Sequence, residues 1–176
     1  SNENQNMKKI IVLIVYPGAG KTTLAKAFIE KHPGFILHDV YEYIKQYKND
    51  DGALKDESLA IKAYEEMYAD LEKMDNDLIL ELGTNYPEAN AKKLKALAEK
   101  RDITVFLCLL STKECYQRVK DSGQLFEEEA LKRRLEREFP EEHEGFLKKS
   151  SLPYHYLQMG QSMDDQIKTV EEIINE

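Results

Sequence analysis

The sequence predicts a three-layer α/β/α domain, a parallel sheet with helices packed on both faces. Three observations predict it. Apolar, β-branched runs alternate along the chain with stretches of helical period. The first run, Ile10 to Val15, has no polar position, as a strand buried on both faces of a parallel sheet requires. A Gly-rich turn, "YPGAG", joins that run to the first helical stretch, at the kind of junction where such sheets bind ligands.

The elements follow in order. "KKIIVLIVY" is the first strand and "KTTLAKAFIEKHPG" the first helix, ended by Pro33-Gly34. "FILHD" is a short second strand, after which Val40, Ile44 and Tyr47 continue at helical period. From Glu57 to Met74, a stripe through Ala60, Ala63, Met67, Leu71 and Met74 predicts one amphipathic helix. "DLILELG" is the third strand, and Pro87 opens the next helix. "ITVFLCLL" is the fourth strand. The helix after it begins at a capping signature, Ser111 three residues before Glu114. A charged helical stretch covers Glu127 to Ser150, with one helix expected over Glu127–Phe139. "YHYLQM" is the fifth strand, and Ile167, Val170 and Ile174 line a closing helix.

Composition narrows the function. At 176 residues with a formal net charge of −8, the chain is one domain whose field repels nucleic acid and anionic lipid. No apolar run approaches the ~20 residues that span a bilayer. The polar opening "SNENQNMKK" lacks a signal-peptide core. Residues 1–6 are therefore expected to be a disordered or appended tail, with Met7 as the native start and 7–176 as the domain. Cys108 and Cys115 form no CxxC pair, which fits a reduced, cytoplasmic setting. The chain reads as a monomer or homodimer. His32, His38, His143 and His155 share no metal-ligand spacing.

The chemistry concentrates in "VYPGAGKTT", Val15 to Thr23. It matches the phosphate-loop pattern G-x-x-x-x-G-K-[ST] except at its first position, where Val15 replaces glycine. Backbone amides must turn inward on the phosphates, so glycine matters most where the chain turns and comes close. Gly18 and Gly20 hold those places, and Val15 serves as a strand end provided its φ stays negative. Gly18, Ala19, Gly20, Lys21, Thr22 and Thr23 are the expected nucleotide contacts. Lys21 would bridge the β- and γ-phosphates and Thr22 would place its hydroxyl on Mg²⁺.

With these motifs the chain resembles the P-loop small-molecule and nucleotide kinases over nearly its whole length. "YPGAGKTTLA" is similar to their "PGSGKST" loop, and "ILHD" to the strand whose last Asp, here Asp39, orients the acceptor hydroxyl. "LILELGTNYPEANAKKLKALA" resembles a segment of phage-type polynucleotide kinases. "VFLCLLSTKECYQRV" resembles the family's fourth strand and an Arg-bearing helix, here Arg118. The resemblance implies sheet order 2-3-1-4-5, a helical lid over about 122–150, ATP and Mg²⁺ as cofactors, and transfer of the γ-phosphate. It also places the adenine near Met159-Gly160-Gln161. Glu81 stands where close relatives often have Asp, and the second Arg usual after Arg118 is absent.

Each candidate has a plain structural alternative. Asp39 is the preferred base and substrate contact, or else a helix cap. Glu81 is a metal contact or second acid, or else a structural carboxylate bonded to nearby backbone. Arg133, Arg134 and Arg137 crowd one lid helix. Arg133 and Arg137 share a face and are expected to neutralise phosphate, Arg134 pointing elsewhere; the alternative is solvated i,i+4 pairing, as between Glu129 and Arg133. Tyr41, Thr84 and Asn85 are expected substrate contacts. Tyr43, Tyr47, Tyr64, Tyr68 and Tyr86 either stack on a ring or cap the core. The function expected is ATP-dependent phosphorylation of a small hydroxyl- or phosphate-bearing acceptor, a nucleoside or nucleotide among the candidates. A nucleotide-dependent switch and a polynucleotide 5′-kinase are the alternatives. No Asn-Lys-x-Asp guanine motif occurs, which argues against a GTPase.

Overall fold

Six consecutive apolar residues, Ile10–Val15, have nowhere to point except into protein, and they form the middle of the sheet. In the computed structural model, which describes residues 7–175, strand β1 spans Lys9–Val15 and each of those six is buried. The expected tail, residues 1–6, lies outside the described residues. Four further strands complete a five-stranded parallel sheet: β2 (Phe35–Asp39), β3 (Asp77–Leu82), β4 (Asp102–Leu109) and β5 (Tyr154–Gln158). Their order is β2-β3-β1-β4-β5, the order the resemblance implied.

Right-handed crossovers fix the layers. Helix α1 (Lys21–Lys31) carries the chain from β1 outward to β2 and packs with α8 (Met163–Ile174). The connections that run the other way carry α3 (Ser58–Lys73), α4 (Pro87–Leu97) and α7 (Glu141–Lys149), with α4 packed on α7. The stripe expected along α3 is buried at Ala60, Ala63, Met67 and Leu71, joined by Tyr64 and Tyr68. Tyr68 donates its hydroxyl to Asn90 Oδ1 at 2.6 Å, so it belongs to the core. Ser111 caps α5 (Thr112–Asp121) by accepting the Glu114 amide at 3.2 Å, as its capping signature predicts.

Two helices differ from expectation. The stretch from Val40 to Tyr47 is a single α-turn, α2 (Tyr41–Ile44), tightened into a 3₁₀ turn at Lys45–Tyr47. The helix expected over Glu127–Phe139 stops early: α6 covers Glu128–Leu135, and α7 begins only at Glu141. Pro140 supplies the reason. It has no amide to donate, and it disfavours helical backbone at Phe139. The segment expected as a single lid is therefore divided, and its second half, α7, is built into the domain through buried His143 and Leu147.

Register sets up the site. Asp39 pairs with Glu81 across β2 and β3, and Glu81 pairs with Leu13 across β3 and β1. Paired residues in neighbouring strands point to the same side of the sheet. Two carboxyl groups are thereby set next to each other at the strand ends. The opposite end is tied by Arg101, which donates to the carbonyls of Lys8 (3.2 Å), Met74 (3.2 Å) and Asn76. An Arg101→Met variant should lose about 2 kcal/mol of stability, because buried carbonyls lose a charged donor. Urea denaturation measures that loss, and nucleotide affinity should stay unchanged because the loop lies at the other end of β1.

Candidate active site

The loop between β1 and α1 answers the question of the missing glycine. Its left-handed residues are Gly18 (φ 83°) and Gly20 (φ 95°), while Val15 is still strand, paired with Cys108 of β4. A glycine is needed where φ is positive, and Val15 is not such a place. Gly18 has a second reason to be glycine: a Cβ there would meet the Cys115 carbonyl oxygen at 2.5 Å and Val119 Cγ2 at 2.7 Å. The loop is pressed against α5. Gly20 caps α1, and the Leu24 amide returns to its carbonyl at 3.0 Å. The N-terminus of α1 thus faces the loop with free amides and a positive dipole.

Arg118 lies over this loop. Its Nη1 donates to the Ala19 carbonyl at 3.4 Å, and Glu114 holds the other end of the guanidinium at 4.0 Å. Arg118, Gly20, Thr23, Gly160, Gln161 and Met163 line a cleft of about 260 Å³ beside the loop. That cleft brings the β5–α8 turn, where the adenine is expected, next to the expected phosphate contacts.

On the other side of Lys21 are the two acids. Thr22 Oγ1 donates to Glu81 Oε2 at 3.0 Å. Glu81 is fully buried, and its Oε1 has no hydrogen-bond partner. Burial pushes its pKa up to about 7; the Lys21 ammonium opposes that rise and the Asp39 charge adds to it. Lys21 is itself pushed down by desolvation, with Glu81 and Asp39 holding it up. Asp39 accepts the Tyr41 amide through Oδ1 at 2.9 Å in a turn just before α2, whose N-cap is Val40, so the capping alternative does not hold and its other oxygen is left over. Among the described residues no group of three or more His, Cys, Asp or Glu could hold a metal ion. The chain offers a hydroxyl and one orphaned carboxylate oxygen instead. That donor set fits Mg²⁺, which binds through few protein oxygens and takes the rest from phosphates and water.

The lid arginines are sorted differently from expectation. Arg133 lies on the outer face, its side chain 69% exposed and paired with Glu127 at 3.9 Å. Arg137 is paired with Glu142 at 2.9 Å. Arg134 is exposed as well, with no carboxylate partner among the described residues, and desolvation by the surrounding protein lowers its pKa. Its charge is felt at Lys21, Lys48 and Tyr64.

Of the other expected contacts, Tyr41 is 51% exposed beneath Lys48, whose Nζ sits 5.1 Å from the ring centre. Thr84 is buried, and its carbonyl bonds His143 Nε2 at 3.0 Å, so it is a joint to α7 and not an open contact surface. The Asn85 carbonyl accepts from Asn90 Nδ2 at 3.2 Å. Tyr64 and Tyr86 pack edge to face at 5.4 Å. Sequence reasoning missed Tyr16. Its ring packs edge-on against Phe139 at 5.2 Å, and its hydroxyl donates to the Arg137 carbonyl. It fastens the start of the phosphate loop to the segment leaving α6. Spacing carried no signal for this contact.

The fold has solved counterparts. A shikimate kinase from Bacteroides thetaiotaomicron superposes with a TM-score of 0.64 at 16% identity, covering 97% of this chain and 99% of that one. A gluconokinase from Sinorhizobium meliloti 1021 gives 0.64 at 12% identity, with 92% and 89% covered. A chain of the Pnkp1/Rnl/Hen1 RNA repair complex gives 0.59 at 19% identity, with 85% and 49% covered. The fold is that of the P-loop kinases. No protein-family model matches the chain, and no curated protein matches it by sequence. Among the described residues no helix of this P-loop kinase fold is long and apolar enough to cross a membrane.

Two outcomes follow from the packing. Gly18→Ala should cost about 1–3 kcal/mol from positive φ alone, more once the clash with α5 is counted, and should abolish nucleotide binding. Thermal denaturation and calorimetric titration check the two halves. Glu81 holds its proton more tightly folded than unfolded. Its contribution to stability is therefore full below about pH 4.5 and is lost as pH rises to about 7. The unliganded protein should lose stability over that window, and Glu81→Gln should flatten the loss, as denaturation curves at several pH values would record.

Proposed function

We propose that this protein transfers the γ-phosphoryl group of ATP, with Mg²⁺, to a hydroxyl of a small acceptor. The observation that carries the reading is the convergence of Lys21, the Thr22–Glu81 pair and Asp39 at the ends of three neighbouring strands. In this reading the loop amides and Lys21 hold the β- and γ-phosphates. Thr22 Oγ1 and Glu81 would hold Mg²⁺, which supplies charge neutralisation when bound. The second oxygen of Asp39 takes the proton of the acceptor hydroxyl. The acceptor oxygen then attacks the γ-phosphorus, the bond to the β-phosphate oxygen breaks, and ADP leaves. Arg118 steadies the nucleotide from above the loop.

The likeness to a shikimate kinase and a gluconokinase in fold supports small acceptors. The net charge of −8 weighs against a polynucleotide substrate, since strand binding calls for a basic groove.

ADP release in the presence of hydroxyl-bearing candidates tests the proposal. Lys21→Ala should remove the activity. Asp39→Asn should lower kcat by about 10²–10⁴-fold with little change in nucleotide affinity. ADP release at full rate without any acceptor would favour the switch reading instead.

A further inference from the structure

We propose that Gln166 is a positioning residue that sets the base preference of the nucleotide cleft. Acting through the Gly160 amide, it selects a purine whose ring nitrogen N1 is an acceptor, as in adenine, over one that carries a proton there, as in hypoxanthine or guanine. This rests on the phosphotransferase reading above and names what fixes its nucleotide.

Three observations support it. The first is the place of Gln166. It lies in the first turn of α8, is 5% exposed, and lines the cleft beside the phosphate loop with Met159, Gly160 and Gln161. Its Nε2 donates to the Met159 carbonyl at 3.3 Å and to the Gln161 carbonyl at 3.0 Å. Both partners can only accept, so the nitrogen of the amide must be the atom that faces them. One side chain therefore clasps the β5–α8 turn on either side of Gly160.

The second is what the clasp leaves over. A trans peptide points its carbonyl and its N–H in opposite directions. With the Met159 oxygen turned to Gln166, the Gly160 N–H of the same peptide points away from Gln166. Gly160 is exposed, and among the described residues no protein group accepts from its amide. Its φ does not demand glycine; the left-handed glycines are Gly18, Gly20, Gly52 and Gly123. Glycine does make the reversed peptide, with a carbonyl in place of the amide, easy to reach. Gln166 holds one of the two orientations.

The third is the cost of the arrangement. Gln166 Oε1 is buried without a hydrogen-bond partner. An unpaired buried acceptor is unfavourable, and an apolar side chain at this place would avoid it. What the amide gains is at its other end, in the two carbonyls it holds. The fixed N–H then discriminates by its chemistry. Adenine N1 accepts from it. Hypoxanthine and guanine carry N1–H, so two donors meet and both stay unpaired. The 6-amino group has no part in this choice.

The test titrates the full chain, with Mg²⁺, by calorimetry. The ligands are ADP, inosine diphosphate, purine riboside diphosphate (which lacks the amino group) and tripolyphosphate, which has no base. The wild type should bind ADP and purine riboside diphosphate about tenfold or more tighter than inosine diphosphate. In Gln166→Met that preference should fall to within about threefold, while tripolyphosphate binding stays within about twofold because the phosphate loop is untouched. A second measurement does not depend on the variant. With ¹⁵N-labelled ADP on ¹⁵N-labelled wild type, NMR should show a scalar coupling across the hydrogen bond from the Gly160 amide nitrogen to purine N1. No preference in the wild type, a preference that survives in Gln166→Met, or bound ADP without that coupling overturns the proposal. If ADP and tripolyphosphate both fail to bind the wild type, it is the phosphotransferase reading that falls.

Discussion

Glu81 is a carboxyl group with no access to solvent, set by strand register between Leu13 and Asp39. Everything above the sheet responds to it. A buried acid needs a partner or a proton. Thr22 satisfies one oxygen from the first turn of α1, which fixes how that helix meets the sheet. Lys21 is held over the same acids by their charge, although burial works against its own ionisation. The remaining oxygen is left without a hydrogen bond. The loop, the helix start and the two acids form one electrostatic unit, in which each group keeps its position because of the next.

That unit clarifies the roles of loop and lid. Gly18 is glycine because α5 leaves no room for a side chain, and α5 is the helix that brings Arg118 over Ala19 and Gly20. Tyr16 reaches the other way, to the residues leaving α6. The phosphate loop therefore touches both ends of the segment that carries Arg134. Movement of that segment is mechanically linked to the loop through two contacts, one backbone-tight and one aromatic.

Much of this was legible in the sequence. The all-apolar run of β1, the punctuation by Pro33-Gly34 and the cap at Ser111 identified elements whose local chemistry agrees with their packing. Lys21, Thr22, Asp39 and Glu81 were legible because strand ends are marked by hydrophobic runs, and residues just beyond them must gather at one edge of a parallel sheet. Other features depended on packing that no spacing encodes. Pro140 was visible and its consequence, the break between α6 and α7, was readable; the charge pattern around it masked the signal. Thr84 looked like a site residue from its place after β3, and His143, which ties it to α7, lies 59 residues away.

The central claim is that a phosphate loop opening on valine closes around a polyphosphate, because the strand and not the loop claims that position. A crystal structure of the protein with Mg²⁺ and a non-hydrolysable ATP analogue tests it most directly. The account predicts β- and γ-phosphates bonded by the amides from Gly18 to Thr22, with Lys21 Nζ on them, the free oxygen of Glu81 turned toward the cation's water shell, and Val15 still paired with Cys108. A loop that stays empty at saturating nucleotide, or that binds only after Val15 leaves the strand, would contradict it.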